Sequence, residues 1–241
     1  MPLIMTVYVL VHGAWSGAHG FRKVRAPLLA AGHEVFTPSL TGIGERVHLT
    51  SPQVCLTTHI NDVVNAIRYE DLDGIVLLGF SYGGFVITGA LAHIGDRVRH
   101  LVYLDAFVPG DGDSLDSLTG GAGAHPSRVT TGLGDRWLVP PVPREFDDPA
   151  EAAWAGERRT PHPAACFAEP VRLERALEDY PFSRTFIKAS AEPRTGPPRP
   201  FWAAADRAKA DAAWRYREIA TTHMVASNRP AELVQLLLEL G

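Results

Sequence analysis

The chain of 241 residues contains only two cysteines, Cys55 and Cys166, which lie far apart and show no metal-ligand spacing. That excludes a disulfide framework and a cysteine-based zinc module, and leaves a reduced, cytosolic chain with two buried thiols as the expectation. No long run of one charge sign occurs, and the net charge is −4. Nucleic acid and membrane are therefore excluded as main partners, and a small molecule is expected instead. No apolar run is long enough to span a bilayer. The opening MPLIMTVYVLVHGAW lacks the basic segment and cleavage site of a signal peptide, so it reads as a buried first strand. There is no P-loop and no internal repeat. TGIGERVHL (41–49) has two glycines but lacks the third of a dinucleotide fingerprint, and it reads as a loop bordering a pocket. No His, Asp or Glu cluster has metal spacing, so no metal is expected.

What is present suits one sizeable core, with 46% hydrophobic and 21% charged residues. Apolar, β-branched runs mark strands at Thr6–Val11, Glu34–Thr37, Gly74–Leu78, His100–Leu104, Arg184–Lys188 and Trp214–Ile219. The first, third and fourth are almost continuously apolar, as strands covered on both faces are. Between them, Ile60, Val63, Val64 and Ile67 share one helical face behind an N-cap at Thr57 or Thr58. Leu233, Leu236, Leu237 and Leu240 repeat that spacing, with Pro230 in the first turn and Asn228 as a cap. Such alternation predicts an α/β fold with a mostly parallel sheet of about six strands and helices on both faces. Residues 107–182 break the rhythm with Gly, Pro and Asp, and read as a small cap inserted into a core made of 1–106 and 183–241. The tract AEPRTGPPRP (191–200) is a local Pro-rich loop.

Residues 79–83, GFSYG, fit the nucleophile elbow G-x-S-x-G between an apolar strand and a helix over Phe85–Ile94. On such a turn Ser81 projects above the sheet with the positive end of the helix beneath it. A serine needs a base, and the base needs an acid, in the chain order Ser, acid, His. His223 alone among the ten histidines falls between the last strand and the last helix, so it is the candidate base. Backbone amides of Tyr82, after the nucleophile, and Ala14, beside Gly13 in LVHGAWSG, are the candidate oxyanion donors. His12 reads as a structural residue shaping that loop. Trp15, Tyr82, Trp137, Phe146 and Trp154 are candidate pocket aromatics, although for each cap residue taken singly packing within the cap is the favoured role.

Together YVLVHGAW, HEVFTPSLTGIGER, VLLGFSYGG, LVYLDAFVP and the terminal H-x(6)-P-x-E-L resemble the α/β-hydrolase superfamily. More narrowly they are similar to the branch containing plant methylesterases, hydroxynitrile lyases and many bacterial esterases. The resemblance implies the α/β-hydrolase fold with a small inserted cap, a Ser–acid–His triad and no cofactor. Two departures stand out. Phe80 occupies the position before the nucleophile where His or Glu is common, which makes the site floor apolar. Met224 occupies the position after the histidine where the lyases carry lysine, which argues against cyanohydrin cleavage. Two carboxylates compete for the acid. Glu192 sits at the family's usual acid position but in a Pro-rich loop, and Asp105 ends the preceding strand, a site some members use instead.

These residues predict a metal-independent serine hydrolase cleaving a small or medium-sized apolar ester or lactone. The rivals are a non-hydrolytic cyclase or lyase for a natural product on the same fold, and a binding protein that has lost chemistry. Oligomeric state, including a homodimer, is left open.

Overall fold

The structure, a computed structural model, describes residues 5–120, 137–191 and 200–241. Strands β1 (Val7–Val11), β2 (Glu34–Phe36), β3 (Ile75–Phe80) and β4 (Val98–Leu104) come first in the chain. After a further short pair, β5 (Leu138–Val139) and β6 (His162–Pro163), come β7 (Ser183–Ala189) and β8 (Trp214–Ile219). Six of them form one all-parallel sheet in the order β2-β1-β3-β4-β7-β8, while β5 and β6 pair antiparallel. The expected strands are all present. Most differ from the sequence reading by one or two residues at an end, where pairing rather than hydropathy decides how far the ladder runs.

The helices are α1 (Arg22–Ala30), α2 (Leu56–Tyr69), α3 (Gly83–Ile94), α4 (Leu115–Leu118), α5 (Pro149–Gly156), α6 (Ala165–Ala168), α7 (Pro200–Ala210), α8 (Val225–Asn228) and α9 (Pro230–Leu238). Each sheet face carries its own apolar cluster. One takes Ile60, Val63, Val64 and Ile67 of α2 together with α3 and α7. The other takes Val24 and Leu28 of α1 with Leu233, Val234 and Leu237 of α9. Burying the four α2 side chains contributes about 6–12 kcal/mol before chain entropy is subtracted.

Two caps differ from expectation. Cys55, not Thr57 or Thr58, is the N-cap of α2, and the Thr58 side chain turns back to accept the Cys55 N–H. Thr57 instead bonds Glu169 through both its N–H and hydroxyl. Asn228 ends α8 rather than capping α9, and Arg229 takes the cap position ahead of Pro230. In both cases a nearby polar partner outside the helix competes successfully for the side chain. Of the two cysteines, Cys166 is buried as expected but Cys55 is only half-buried.

Helix α3 starts two residues earlier than its apolar pattern, directly after the serine turn. That tightness has a steric reason. A Cβ on Gly79 would stand 2.7 Å from the Gly83 carbonyl oxygen, so the two motif glycines make room for each other. Just beyond, Gly84 has no room for a side chain, since its Cβ would lie 2.0 Å from the Phe107 carbonyl oxygen.

Between β4 and β7 the chain builds α4, the β5–β6 pair, α5 and α6 above the carboxyl ends of the strands. Helix α5 is fastened to α1 mainly by charge. Buried Glu151 meets both Arg22 and Lys23, and Arg22 also lies 3.5 Å over the Trp154 ring. Among the described residues no helix is long and apolar enough to cross a membrane.

Gly84→Ala should cost at least about 3 kcal/mol in urea unfolding, because the obstructing atom is backbone. Gly156→Ala, in the last turn of α5 with nothing within 4 Å, should instead stabilise by about 0.5–1 kcal/mol. Equal effects of the two would contradict the close approach at the elbow.

Candidate active site

Ser81 follows β3 with φ +56°, a left-handed backbone that a non-glycine residue adopts only under constraint. The constraint is visible: the Ser81 N–H donates to Leu104 O, and the Ser81 carbonyl accepts from Gly84 and Phe107. Asp105, one residue past β4, is also left-handed (φ +40°), and its N–H donates to Ile187 O of β7. His223 comes from the loop between β8 and α8.

Three residues from three strand ends thus meet in one chain of hydrogen bonds. Asp105 Oδ2 accepts from His223 Nδ1 at 2.6 Å, and His223 Nε2 faces Ser81 Oγ at 2.9 Å. With the carboxylate holding the Nδ1 proton, Nε2 is left as the acceptor for the serine hydroxyl. The imidazole packs against Phe80 and stacks on Phe201, with ring centroids 4.7 and 4.9 Å away. Glu192, the other candidate acid, lies outside the described residues.

A residue that sequence reasoning passed over completes this cluster. Lys188 on β7 is 0% exposed and donates to Asp105 Oδ1 at 2.6 Å and to Ala189 O at 2.7 Å. The pairing of Leu104 with Ile187 brings Asp105 and Lys188 side by side. Burial pushes the Asp105 carboxyl up, but hydrogen bonding and charge from His223 and Lys188 outweigh it and hold the group below its ordinary value. The signal was in the sequence: a lysine inside the apolar strand TFIKA needs a buried carboxylate next door.

The loop after β1 closes on the elbow, and a Cβ on Gly13 would stand 3.0 Å from the Ser81 Cβ. Trp15 in this loop has φ +61° and is held from the inserted segment on three sides. Its N–H donates to His162 Nδ1 (3.3 Å), its indole donates to Val139 O (2.9 Å), and its carbonyl accepts from Thr160 (3.2 Å). His12 fixes the loop from below, donating from Nδ1 to Gly13 O and accepting Leu40 N–H at Nε2. The other candidate donor, the Tyr82 amide, opens α3, while the Tyr82 side chain is buried and donates its hydroxyl to His59 Nδ1.

The cavity over Ser81 has about 30 Å³ of free volume, room for about one or two waters. Ala14, Trp15, Phe80, Phe146, Trp154, His223 and Met224 line it, as do Ser16 and His19. Tyr82 and Trp137, two of the candidate pocket aromatics, do not line it, and neither does Gly13. Gly13 and Tyr82 shape it from behind through the backbone, and half-buried Trp137 accepts Ala164 N–H in the β5–β6 pair. Residues 41–49 also fail to line it. Glu45 serves one layer out instead, accepting from Ala18 and His19. Two cations that sequence reasoning missed, Arg144 and Arg159, face the cavity from the inserted segment.

Beneath the loop after β1, fully buried His59, His162 and Cys166 bring their nitrogen and sulfur atoms within 4.8 Å of one another. Sequence spacing gave no hint of this cluster, because its members lie on separate elements. Both nitrogens of His59 and one nitrogen of His162 are already committed. His59 Nε2 donates to Thr41 O at 2.8 Å, and accepting from Trp15 leaves the proton of His162 on Nε2. Burial also pushes the Cys166 thiol up, away from the thiolate a metal needs. The set suits a neutral hydrogen-bonding core better than a cation. His162 Nε2 has no hydrogen-bond partner among the described residues.

The family model described as "Alpha/beta hydrolase family" matches residues 8–236. A carbendazim hydrolyzing esterase of Nocardioides sp. (strain SG-4G) is 37% identical over 250 residues, spanning 98% of this chain and 100% of that protein. Among solved structures, an extracellular alpha/beta-hydrolase from a Paenibacillus species superposes with a TM-score of 0.81 at 24% identity, covering 98% of this chain and 99% of that one. A methylesterase from Arabidopsis superposes with a TM-score of 0.76 at 21% identity, covering 98% of each chain. The two structural likenesses show the fold.

Burial lowers His12 and His59 to about 4 and His162 well below its ordinary value. Between the unfolded histidine pKa of about 6.5 and those folded values, the unfolded chain binds more protons. Stability is therefore full above about pH 6.5 and lost as pH falls toward 4, which urea midpoints across that range should register as a steady decline. Separately, Lys188→Met should cost about 3–5 kcal/mol by stranding Asp105. Adding Asp105→Asn should then cost less than the sum of the two single changes, and strict additivity would mean the pair is not coupled.

Proposed function

The chain belongs to the alpha/beta hydrolase family, and on that footing we propose that it is a serine hydrolase cleaving a small or medium-sized carboxylic ester or lactone. The observation that carries this reading is the unbroken chain Asp105–His223–Ser81, with contacts of 2.6 and 2.9 Å, ending on a serine with strained backbone. The full-length likeness to an esterase named for hydrolyzing carbendazim supports ester-type chemistry over cyclisation or elimination. Met224 after the histidine, in place of a lysine, supports it further.

Ser81 Oγ attacks the acyl carbon while His223 Nε2 takes its proton. Asp105 keeps the imidazole in the receptive tautomer and offsets the positive charge it gains. Negative charge developing on the carbonyl oxygen is met by the amides of Ala14 and Tyr82. The imidazolium then returns the proton to the departing alkoxide, and the C–O bond breaks to leave an acyl-serine. Water enters, His223 takes one of its protons, and hydroxide attack releases the carboxylic acid and restores Ser81. Phe80 and Phe201 shield the imidazole from bulk water, which strengthens each of these charge interactions.

Lys188 has a supporting role. It binds the carboxylate oxygen that His223 does not use, so Asp105 presents one fixed oxygen to the imidazole.

The test is intact-protein mass after incubation with an organophosphonate, together with p-nitrophenol release from p-nitrophenyl acetate. Adduct and burst should both vanish in Ser81→Ala and His223→Ala. Asp105→Asn should lower kcat by about four orders of magnitude in the fraction that circular dichroism shows to be folded, while Glu192→Gln stays near wild type. The opposite ranking of the two carboxylates would overturn the choice of acid, and an unlabelled wild type would overturn the hydrolase itself.

A further inference from the structure

The Ala14 N–H, one of the two amides assigned to the developing oxyanion, belongs to a residue between two rigid peptide planes. The plane before it is held by the core, through the His12 Nδ1 bond to Gly13 O at 2.9 Å. One such bond leaves a plane free to swivel about it, and a second anchor across the Ala14 Cα removes that freedom. The second anchor comes from the inserted segment. The next plane ends in the Trp15 N–H, which donates at 3.3 Å to His162 Nδ1, 147 residues further along. Trp15 itself has φ +61°, a backbone that a tryptophan keeps only where it is held.

The grip on Trp15 is built as a pair. His162 stands opposite Val139 in the β5–β6 ladder. Its Nδ1 takes the Trp15 backbone N–H, while Val139 O takes the indole N–H at 2.9 Å. The His162 ring is fully buried, stacked on Phe167 with centroids 4.5 Å apart and edge-on to the Tyr82 ring at 4.9 Å. Tyr82 carries the second amide assigned to the oxyanion, so one imidazole bears on both donor residues.

Packing alone would not select a histidine here. Accepting at Nδ1 leaves the proton on Nε2, and that N–H meets no partner among the described residues. An apolar ring would stack on Phe167 without burying an unmet donor, which is costly. What an apolar ring lacks is an acceptor for Trp15. Burial keeps the imidazole neutral, so Nδ1 remains an acceptor near neutral pH.

We infer that His162 is a positioning residue for the oxyanion donors, acting through the Trp15 amide on Ala14 and by ring contact on Tyr82. It does not line the cavity over Ser81, so its effect on the reaction is indirect. This rests on the serine-hydrolase reading and deepens it: the inserted segment supplies part of the transition-state machinery as well as a wall of the pocket.

The experiment compares wild type with His162→Leu, which removes the acceptor, and His162→Asn, whose side-chain oxygen can replace Nδ1. Turnover of p-nitrophenyl acetate is referred to the fraction that circular dichroism shows to be folded. His162→Leu should lower kcat by about a hundredfold, as a misaimed oxyanion donor does, with KM within about threefold. Trifluoroacetophenone, which Ser81 converts to a tetrahedral oxyanion, should bind more weakly by the same factor as kcat falls. Acetophenone, which stays trigonal, should bind as before. His162→Asn should recover most of both losses, and amide exchange at Trp15 should be fast in the leucine variant and slow in the other two. A folded His162→Leu with unchanged kcat and unchanged trifluoroacetophenone affinity would overturn the positioning role while leaving the hydrolase standing. Should that variant fail to fold, the wild-type imidazole nitrogen resonances decide: a His162 proton on Nδ1 overturns the role, and one on Nε2 with Nδ1 accepting supports it. A wild type that neither turns over the ester nor prefers trifluoroacetophenone to acetophenone would instead overturn the hydrolase reading beneath it.

Discussion

A carboxylate with no exposure to water has to be answered by charge, and the way Asp105 is answered organises the rest of the site. One oxygen goes to Lys188 and the backbone of Ala189, the other to His223. The lysine and the aspartate sit on neighbouring parallel strands one residue past a paired position, so the sheet register itself sets their separation. Breaking either partner would leave an unpaired buried ion, a far larger cost than a surface pair carries. His223, four residues beyond β8, is thereby tied to the centre of the sheet rather than to its edge.

Around this junction three non-glycine residues hold left-handed backbone: Trp15, Ser81 and Asp105. Each such conformation costs about 1–3 kcal/mol and persists only where neighbours over-determine it. For Ser81 the neighbours are backbone amides of the elbow, and for Asp105 they are β7 and its lysine. For Trp15 they come from the inserted segment, through His162, Val139 and Thr160. The insertion is therefore more than a cover. Its β5–β6 pair and the loop before it set the geometry of the turn that carries Ala14.

How much of this could be read from residues alone follows from range. The sheet, the elbow and His223 were legible because their signals are local: an apolar run, a glycine pattern, a histidine between the last strand and the last helix. The acid was not, since the sequence offers two carboxylates, Asp105 and Glu192, after consecutive strand patterns, and no local signal chooses between them. Lys188 could have pointed to Asp105, because a lysine amid Thr185, Phe186 and Ile187 demands a buried counter-charge. Arg144, Arg159 and His162 gave no such signal. They come from a stretch without periodicity, where position depends on contacts more than a hundred residues away, as between His162 and Trp15. The misplaced helix caps have the same origin, since a distant Glu169 engages Thr57.

The insertion is attached in two physically different ways. Its α6 side enters the core through Phe167, Cys166 and stacked rings, whereas α5 meets α1 chiefly through Glu151 with Arg22 and Lys23. Parting the first seam would uncover apolar surface and carry a positive heat-capacity change, while parting the second would mostly exchange ion pairs for hydration and carry little. The strength of the α5 seam therefore depends on dissolved ions far more than on warming or cooling.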